Sequence, residues 1–407
     1  MKVIVVGGGP AGLMAAGTAS RTGADVTLLE KNEKVGKKLY ITGKGRCNIT
    51  NTCENSPFLD NIIHNSKFLL SAEKKFDYSS VIEFFDEYGL ETKVERGGRV
   101  FPVSDKASDV TKALLKFCSN VRIQLNTKVN GIEIKDGKVA AVNTDKGFFS
   151  CDKAIIATGG ISYPLTGSTG DGYNIAKKLG HNIVKPKPAL VPILITESKD
   201  IYSLQGVSLK NVSVTAVLSN GKSITEFGEM LFTDRGVTGP LILTLSSKIN
   251  ESVVKYLSLN LKPALTREVL DKRLLREFEQ NKNRDFKNSL GELLPNSLIE
   301  LVISRSEIGA DTKVNQITVA GRTKLIDTLQ DLRLYGVKLA DVAVGIVTAG
   351  GINVNEVNPK TMESKIVSGL YFAGEVLDVD GLTGGYNIHI ALATGNAAGS
   401  AAGGDNA

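Results

Sequence analysis

The first thirty residues, MKVIVVGGGPAGLMAAGTASRTGADVTLLE, constrain this chain more than any other stretch. Val3 to Val6 is a short run of β-branched apolar residues, the composition of a buried strand. Gly7, Gly9 and Gly12 follow as G-x-G-x-x-G, and Leu13 to Ser20 opens a small-residue helix. A second apolar run, Val26 to Leu29, ends on Glu30. Strand, glycine turn, helix and strand in that order form the βαβ fingerprint of a dinucleotide site. Gly7 is expected to make the tight turn, Gly9 to let backbone approach a pyrophosphate, and Gly12 to let helix and strand pack closely. The free amides at the helix start face the phosphates. Glu30 lies about 20 residues past the glycines, where a carboxylate accepts from a ribose 2′-hydroxyl and disfavours a 2′-phosphate. The expected nucleotide is therefore FAD or NAD rather than NADP. A secretory leader and a ligand-free glycine turn are the competing readings of this segment. Three glycines and Pro10 interrupt the apolar run a leader needs, and the second strand follows on schedule.

Composition narrows the class. A chain of 407 residues allows two or three domains and a sizeable core. The net charge of +6 is dispersed, which suits anionic cofactors and substrates. No basic block with interleaved aromatics occurs, so a nucleic acid is not the expected partner. Cys47, Cys53, Cys118 and Cys151 show neither C-x-x-C nor zinc spacing, which argues against a dithiol redox centre and a metal site. With no leader and no apolar run long enough to span a bilayer, a reducing cytoplasm is the expected compartment and no membrane partner is expected. Oligomeric state is not readable from the sequence.

Beyond the fingerprint, Gly36 to Asn51 is glycine-rich, basic and polar, a loop returning over the nucleotide, with Lys37, Lys38 and Arg46 available to phosphates. Phe68 to Tyr88 carries apolar residues at helical spacing, with Gly89 as its C-cap. Arg96 to Asp105 reads as a glycine turn and a short extended piece, with Arg99 a candidate contact for a substrate anion. Ser104 and Asp105 precede a helix over Ala107 to Cys118. Val121 to Thr127 and Gly131 to Thr144 read as antiparallel strands with a turn at Asp136-Gly137. Lys153 to Gly160 is a buried strand ending in Ala-Thr-Gly-Gly, followed by a polar glycine loop and a helix started at Asp171.

The pattern changes at Lys185-Pro186-Lys187-Pro188. From Leu190 to about Leu261 the chain alternates in short β-like runs, and from Leu265 to about Gly309 it is charged and helical. Val314 to Asp341 returns to the second domain. Ala343 to Gly351 and Gly369 to Asp378 are two more strands ending at glycines, and Gly381 to Ile388 opens a small-residue helix over Ala391 to Ala398. Ala397 to Ala407 is expected to fray. A single FAD lying across one sheet accounts for the glycine clusters at both chain ends; NAD alone leaves the C-terminal ones unexplained. The amides of Gly384-Gly385 at a helix start would stabilise negative charge on the reduced pyrimidine ring, and Glu375 or Asp378 would meet ribityl hydroxyls.

On these residues the chain resembles the BaiN/YhiN family of FAD-dependent flavoproteins, which has aminoacetone-oxidase-like and bile-acid-reductase-like members. The resemblance rests on VVGGGPAG (Val5 to Gly12), GKGRCNITN (Gly43 to Asn51), GRVFPVSDKA (Gly98 to Ala107) and ATGGISYPLTGSTGDGY (Ala157 to Tyr173). It continues through LFTDRGVTGP (Leu231 to Pro240), VTAGG (Val347 to Gly351), TMESK (Thr361 to Lys365) and AGEVLDVDGLTGGYN (Ala373 to Asn387). It implies an α/β fold: a discontinuous Rossmann-like FAD-binding domain (1–189 and 345–407) with an inserted β-rich domain (190–264 and 315–344) that contains a small helical subdomain (265–314). It further implies that Gly7, Gly9, Pro10, Ala11 and Gly12 hold the pyrophosphate and Glu30 the ribose, with Lys31 and Val129 nearby. Lys37, Lys38, Thr42, Gly43, Gly45, Arg46, Cys47 and Asn48 would line the flavin, and Thr158, Gly159 and Gly160 would flank the adenosine half. Gly374, Glu375, Asp378, Gly384, Gly385, Tyr386, Asn387 and Ile388 would hold the ribityl and pyrimidine end. The chain departs from the family pattern at Asp234, where histidine is usual, and at His389, where glutamine is usual.

The functional expectation is an FAD-dependent oxidoreductase exchanging hydride between flavin N5 and a small organic or steroid-like substrate. His389, Asp234 and Arg235 are the candidate catalytic residues, His389 as proton donor. Only one dinucleotide fingerprint is present, so NAD(P)H would act as a transient reductant docking in the substrate cleft. An NAD(P)H-dependent reductase is favoured over an amine or aminoketone oxidase using O2. A flavin-dependent RNA-modifying enzyme and a non-catalytic flavin-binding protein are the remaining alternatives.

Overall fold

The computed structural model describes residues 1–54 and 56–404, and it divides into two compact units. One comprises Met1–Ala189 with the segment from Asp341 onward, and the other Leu190–Ala340.

The first unit is built on strands β1 (Lys2–Val6), β2 (Asp25–Leu29), β3 (Arg122–Gln124), β4 (Lys153–Ile156) and β5 (Leu370–Phe372). They form a 5-stranded parallel sheet in the order β5-β4-β1-β2-β3. Val5 pairs with Leu28 on one side and Ile155 on the other, so the opening fingerprint sits mid-sheet. Both faces are covered, which is why β1 is apolar without alternation: Val3 and Val5 face one way, Ile4 and Val6 the other, and all four are buried. Helix α1 (Pro10–Arg21) follows β1, and helix α2 (Tyr386–Gly403) lies against it. A Cβ on Gly395 would lie 2.5 Å from the Ala11 carbonyl oxygen, on Gly399 2.4 Å from that of Ala15, and on Gly403 3.1 Å from Cα of Ala19. Contacts that rise in step along both helices mean that the helices run in the same direction. Three glycines spaced four apart give α2 a flat stripe, and the backbones close on it.

The second unit holds a 7-stranded antiparallel sheet whose long strands are Ser208–Leu218, Ser223–Phe232 and Val254–Asn260. Helices Arg267–Gln280, Asn296–Ser306 and Val319–Gln330 share its core, where Leu274, Phe278 and Val302 join Val214 and Leu257 in one cluster. This is the Rossmann-type α/β fold with an additional antiparallel sheet.

Four local expectations are corrected. The helical span Phe68 to Tyr88 is broken into Leu70–Lys75 and Tyr78–Glu87, because Asp77 caps the second helix by accepting the Ser80 amide at 2.9 Å. The Val121 to Thr127 segment pairs in parallel with β2 as the sheet edge, while the hairpin runs from Val129–Lys135 to Lys138–Thr144 around Asp136 and Gly137, both at positive φ. The strand expected from Ala343 to Gly351 begins only at Val347, after a helical turn at Val342–Val344 started by Asp341, whose side chain accepts the Ala343 amide. The expected fraying of Ala397 to Ala407 gives way to continuous helix through Gly403, held by the glycine stripe; the last three residues lie outside the described ones. Among the described residues no helix is long and apolar enough to cross a membrane.

Candidate functional site

The sheet's carboxyl edge collects the glycine motifs from both chain ends. Gly7 leaves β1 at a φ of 104°, and a Cβ there would lie 2.5 Å from the Ala157 carbonyl oxygen. A Cβ on Gly12 would lie 1.9 Å from the Gly7 carbonyl oxygen, so helix and turn touch through backbone alone. Around Gly9 the space is open, with no atom within 4 Å of its added Cβ. Pro10 occupies the first position of α1, where its missing donor costs nothing, and Ala11 is buried at the start of α1. Gly374, just past β5 at a φ of 77°, packs against Ala11, and its amide donates to Thr394 Oγ1 at 2.9 Å. The C-terminal segment is thereby joined to the fingerprint turn.

Glu30 is buried at the end of β2, and its oxygens are held by the Gly8 amide at 2.7 Å and by Asn32 through its amide (2.8 Å) and side chain (2.7 Å). Val129 is buried nearby, two residues past Thr127, whose amide donates to the Glu30 carbonyl. Lys31 is bound to Asp171 and Thr169, each at 2.6 Å, and Lys37 to Glu33 at 3.2 Å.

Lys38 forms the centre of a tight cluster. Its Nζ donates to Glu375 Oε2 at 2.7 Å, Glu375 Oε1 at 3.0 Å and Ser162 Oγ at 2.6 Å. Glu375 also accepts from Ser162 Oγ and the Thr348 amide, both at 3.0 Å. Gly160 is squeezed between them: its Cβ would sit 2.4 Å from Thr348 Oγ1 and 2.8 Å from Glu375 Oε1. Gly159 takes a φ of 73° beside Ser168.

The other half of the site surrounds the start of α2. Gly384 (φ 119°) and Gly385 (φ 103°) precede it, and Gly385 lies so close to the Thr50 backbone that a Cβ would reach its carbonyl oxygen at 2.4 Å. Asn51 Nδ2 donates to the carbonyls of Gly384 at 3.1 Å and Gly97 at 3.0 Å. Asn387 Oδ1 accepts from the Gly381 amide, and its Nδ2 donates to the Gly381 and Leu382 carbonyls, which fixes the loop before the helix. Tyr386 is buried, and burial pushes its hydroxyl up to about 12; Ile388 is partly buried in the first turn. Because Gly395 lies level with Ala11, α2 begins about eight residues, roughly 12 Å, ahead of α1 at the helical rise. Two positive helix ends thus face the same edge at different depths.

Several expected ligands are turned elsewhere. Arg46 pairs with Glu95 and Asp105, each at 2.5 Å, and stacks 4.1 Å over Phe101, so its charge serves the strands Thr92–Glu95 and Arg99–Pro102. Cys47 is fully buried at a φ of 61°, and burial pushes its thiol up to about 12. Thr42 Oγ1 donates to the Leu39 carbonyl, and Gly43 and Gly45 shape the loop with positive φ. Asp378 receives Asn65 Nδ2 on its carboxylate at 2.9 Å and on its carbonyl at 2.7 Å. Asp234 and Arg235 belong to the second unit, on a turn with 66% and 77% of their side chains exposed and 3.8 Å apart. His389 is fully buried, its nitrogens taken by Thr50 Oγ1 and the Phe76 carbonyl, both at 2.8 Å. Burial holds it down to about 4. With no exposed face and no open nitrogen, His389 is a structural residue and not the proton donor expected of it.

Three side-chain oxygens near these loops, Asn48 Oδ1, Thr52 Oγ1 and Thr158 Oγ1, are buried without a hydrogen-bond partner among the described residues. Buried polar atoms left this way ask for a ligand or water. Together with the open space at Gly9, they fit an elongated dinucleotide spanning both helix starts. Among the described residues no cluster of metal-ligating side chains occurs. The Ser162–Thr348–Glu375 contacts had no sequence signal, whereas the spacing of Gly395, Gly399 and Gly403 was one for the close helix pair.

Comparison with known proteins gives the family and the fold. The HI0933-like protein Rossmann domain matches residues 1–401. A ribosomal RNA dihydrouridine synthase of Escherichia coli (strain K12) is 32% identical over 94% of this chain and 93% of its own length. A 3-dehydro-bile acid delta(4,6)-reductase of Clostridium scindens is 30% identical over 98% of each. Among solved structures, the 3-ketosteroid-delta4-(5alpha)-dehydrogenase of Rhodococcus jostii RHA1 superposes with a TM-score of 0.52 at 14% identity, over 98% of this chain and 96% of that one, which is a likeness of fold. The chain belongs to the HI0933-like Rossmann-domain family and is an FAD-dependent oxidoreductase.

Proposed function

We propose that this member of the HI0933-like family binds FAD along the carboxyl edge of the parallel sheet and reduces a carbon–carbon double bond conjugated to a carbonyl. The observation that carries the reading is the staggered pair of parallel helix starts, α1 behind Gly9 and α2 behind Gly385. The α1 amides and Gly9 bind the pyrophosphate, and Glu30 exchanges its Gly8 and Asn32 donors for ribose hydroxyls. The Lys38–Glu375 pair orients the polyol chain, with Asn48, Thr52 and Thr158 supplying the remaining hydrogen bonds. The α2 start, with Gly384, Gly385 and Asn387, faces the end where negative charge accumulates. Bound FAD supplies two-electron hydride chemistry, with NAD(P)H as its transient reductant.

What the relatives' names have in common supports this substrate class. Making dihydrouridine saturates a ring double bond conjugated to a carbonyl, and a delta(4,6)-reductase saturates double bonds conjugated to a 3-ketone. Conjugate reduction of such a bond puts a hydride on its carbon farther from the carbonyl (β in an enone, δ for the outer bond of a dienone) and a proton on a carbon nearer the carbonyl. A small enone of steroid type is the first reading; uridine in ribosomal RNA is the second, favoured by the dihydrouridine synthase relative and the net charge of +6. The test is anaerobic stopped-flow on the FAD-loaded protein. NADH or NADPH should bleach the flavin, and a 3-keto-4-ene steroid or a uridine-containing RNA should restore its colour. Failure of both nucleotides to bleach it removes the reductase reading, and a protein that neither retains nor rebinds FAD removes the reading altogether.

A further inference from the structure

The strands Thr92–Glu95 and Arg99–Pro102 form a hairpin whose tip, Arg96-Gly97-Gly98, stands beside the start of α2. Asn51 fixes this placement: one nitrogen, Nδ2, binds the carbonyls of both Gly97 and Gly384, so the two lie within about 6 Å. Gly98 is buried against the Asn51 and Thr52 side chains, 2.6 and 2.7 Å from its added Cβ, and both glycines take positive φ, 79° and 70°. The tip is therefore a rigid element and not a loose loop.

Charge on the hairpin is divided unevenly. Glu95, opposite Arg99 at the tip end of the strands, is taken by Arg46; Asp105, past the second strand, is taken by Arg46 and Lys93; and Phe101 lies under the guanidinium groups of Arg46 at 4.1 Å and Arg99 at 5.7 Å. Arg99 has only a 3.8 Å approach to Glu95 and a bond from its Nε to the Arg96 carbonyl. Arg96 is exposed, and its guanidinium has no partner among the described residues. Two under-compensated arginines thus flank a fixed point next to the α2 start.

We propose that Arg96 and Arg99 receive an oxyanion on the substrate, a carboxylate or a phosphate, and so orient its double bond toward the start of α2. Guanidinium groups suit this because they bind such oxyanions in a bidentate fork. The proposal rests on the reading of that helix start as the reacting end of the site, and it gives one anion-binding element to either substrate class.

The test compares wild type with R96Q, R99Q and the double variant, all FAD-loaded and reduced anaerobically. The probes are a 3-keto-4-ene steroid carboxylic acid, its methyl ester, and a uridine-containing oligoribonucleotide. For a carboxylate substrate the double variant should raise KM for the acid about tenfold, with kcat kept and the ester unaffected. For a phosphate substrate the oligoribonucleotide KM should rise and its salt dependence flatten, with the steroids unaffected. An unchanged acid-to-ester ratio together with an unchanged oligoribonucleotide KM overturns the proposal. If no probe reoxidises the flavin, the reaction reading fails on its own, and probe binding is read from the flavin absorbance. Weaker binding of one anionic probe in the double variant then still supports the arginine element; equal binding, or none by wild type, overturns it.

Discussion

Lys38 and Glu375, 337 residues apart, form an ion pair with Nζ 2.7 Å from one carboxylate oxygen and 3.0 Å from the other. Each side chain is 20% exposed, so the pair is partly desolvated and fixes the returning C-terminal segment to the loop that follows β2. Lys38→Met removes the charge and keeps the bulk, leaving Glu375 with Ser162 and the Thr348 amide. The loss of a charge-assisted bond at the cofactor edge should weaken FAD binding about tenfold. Titration of the apoprotein with FAD, followed by flavin fluorescence, measures this; equal affinity for wild type and variant would show that the pair only braces the fold.

The α1–α2 contact is set by absence of side chains. A Cβ on Gly399 would stand 2.4 Å from the Ala15 carbonyl oxygen and 2.8 Å from Thr18 Cβ, and neither atom belongs to the far end of a flexible side chain. Gly399→Val should therefore push the helices apart, costing about 1–3 kcal/mol by overpacking. It should also weaken FAD binding, since both helix starts move. Thermal unfolding with and without added FAD checks both effects, and an unchanged melting temperature would refute the close approach.

How much of this was legible in the sequence depended on range. The fingerprint from Val3 to Glu30 could be read because its glycines answer local demands: Gly7 turns the chain at positive φ and Gly12 packs on the Gly7 carbonyl, although Gly7 also lies against Ala157 far along the chain. Strands β1, β4 and β5 were legible as apolar runs ending at glycines, whereas the edge strand β3 has no such ending and reads as antiparallel. His389 misled because its residue type suggests proton transfer, while its character is set by Thr50 and Phe76, which fold onto it from more than three hundred residues away. Arg46 misled similarly: a basic residue in a glycine loop suits a phosphate, but Glu95 and Asp105 claim it through tertiary pairing. The Ser162–Thr348–Glu375 cluster joins three segments with no shared periodicity, so no local pattern announced it.

The cysteines carry a prediction about reactivity. Burial pushes the thiols of Cys47, Cys118 and Cys151 up to about 12, and burial with nearby Glu73 pushes Cys53 up to about 11. The thiolate is the reactive form, so at pH 8 none should be fast. An aromatic disulfide reagent should label Cys53 slowly in the native protein and all four cysteines once guanidinium unfolds it. A rapidly labelled native thiol would contradict the burial of these side chains.

His389 sets a specific pH dependence of stability. In the fold its pKa lies near 4, below the ordinary 6.5, chiefly because burial disfavours the charged ring. The unfolded chain therefore takes up the proton near pH 6.5 and the folded chain only near 4. The resulting stability is full above about pH 6.5 and is lost as pH falls toward 4, in total about 3 kcal/mol. His181, held low by burial against the raising influence of Glu356, acts in the same direction but is untouched by a change at 389. His389→Gln keeps an amide to meet Thr50 and the Phe76 carbonyl and removes the titration. Urea unfolding at pH 7.5, 6.5, 5.5 and 4.5 should show the variant losing less stability than wild type below about pH 6.5. Parallel curves would mean that the imidazole reaches solvent in the native state, and they would return His389 to candidacy as a proton donor.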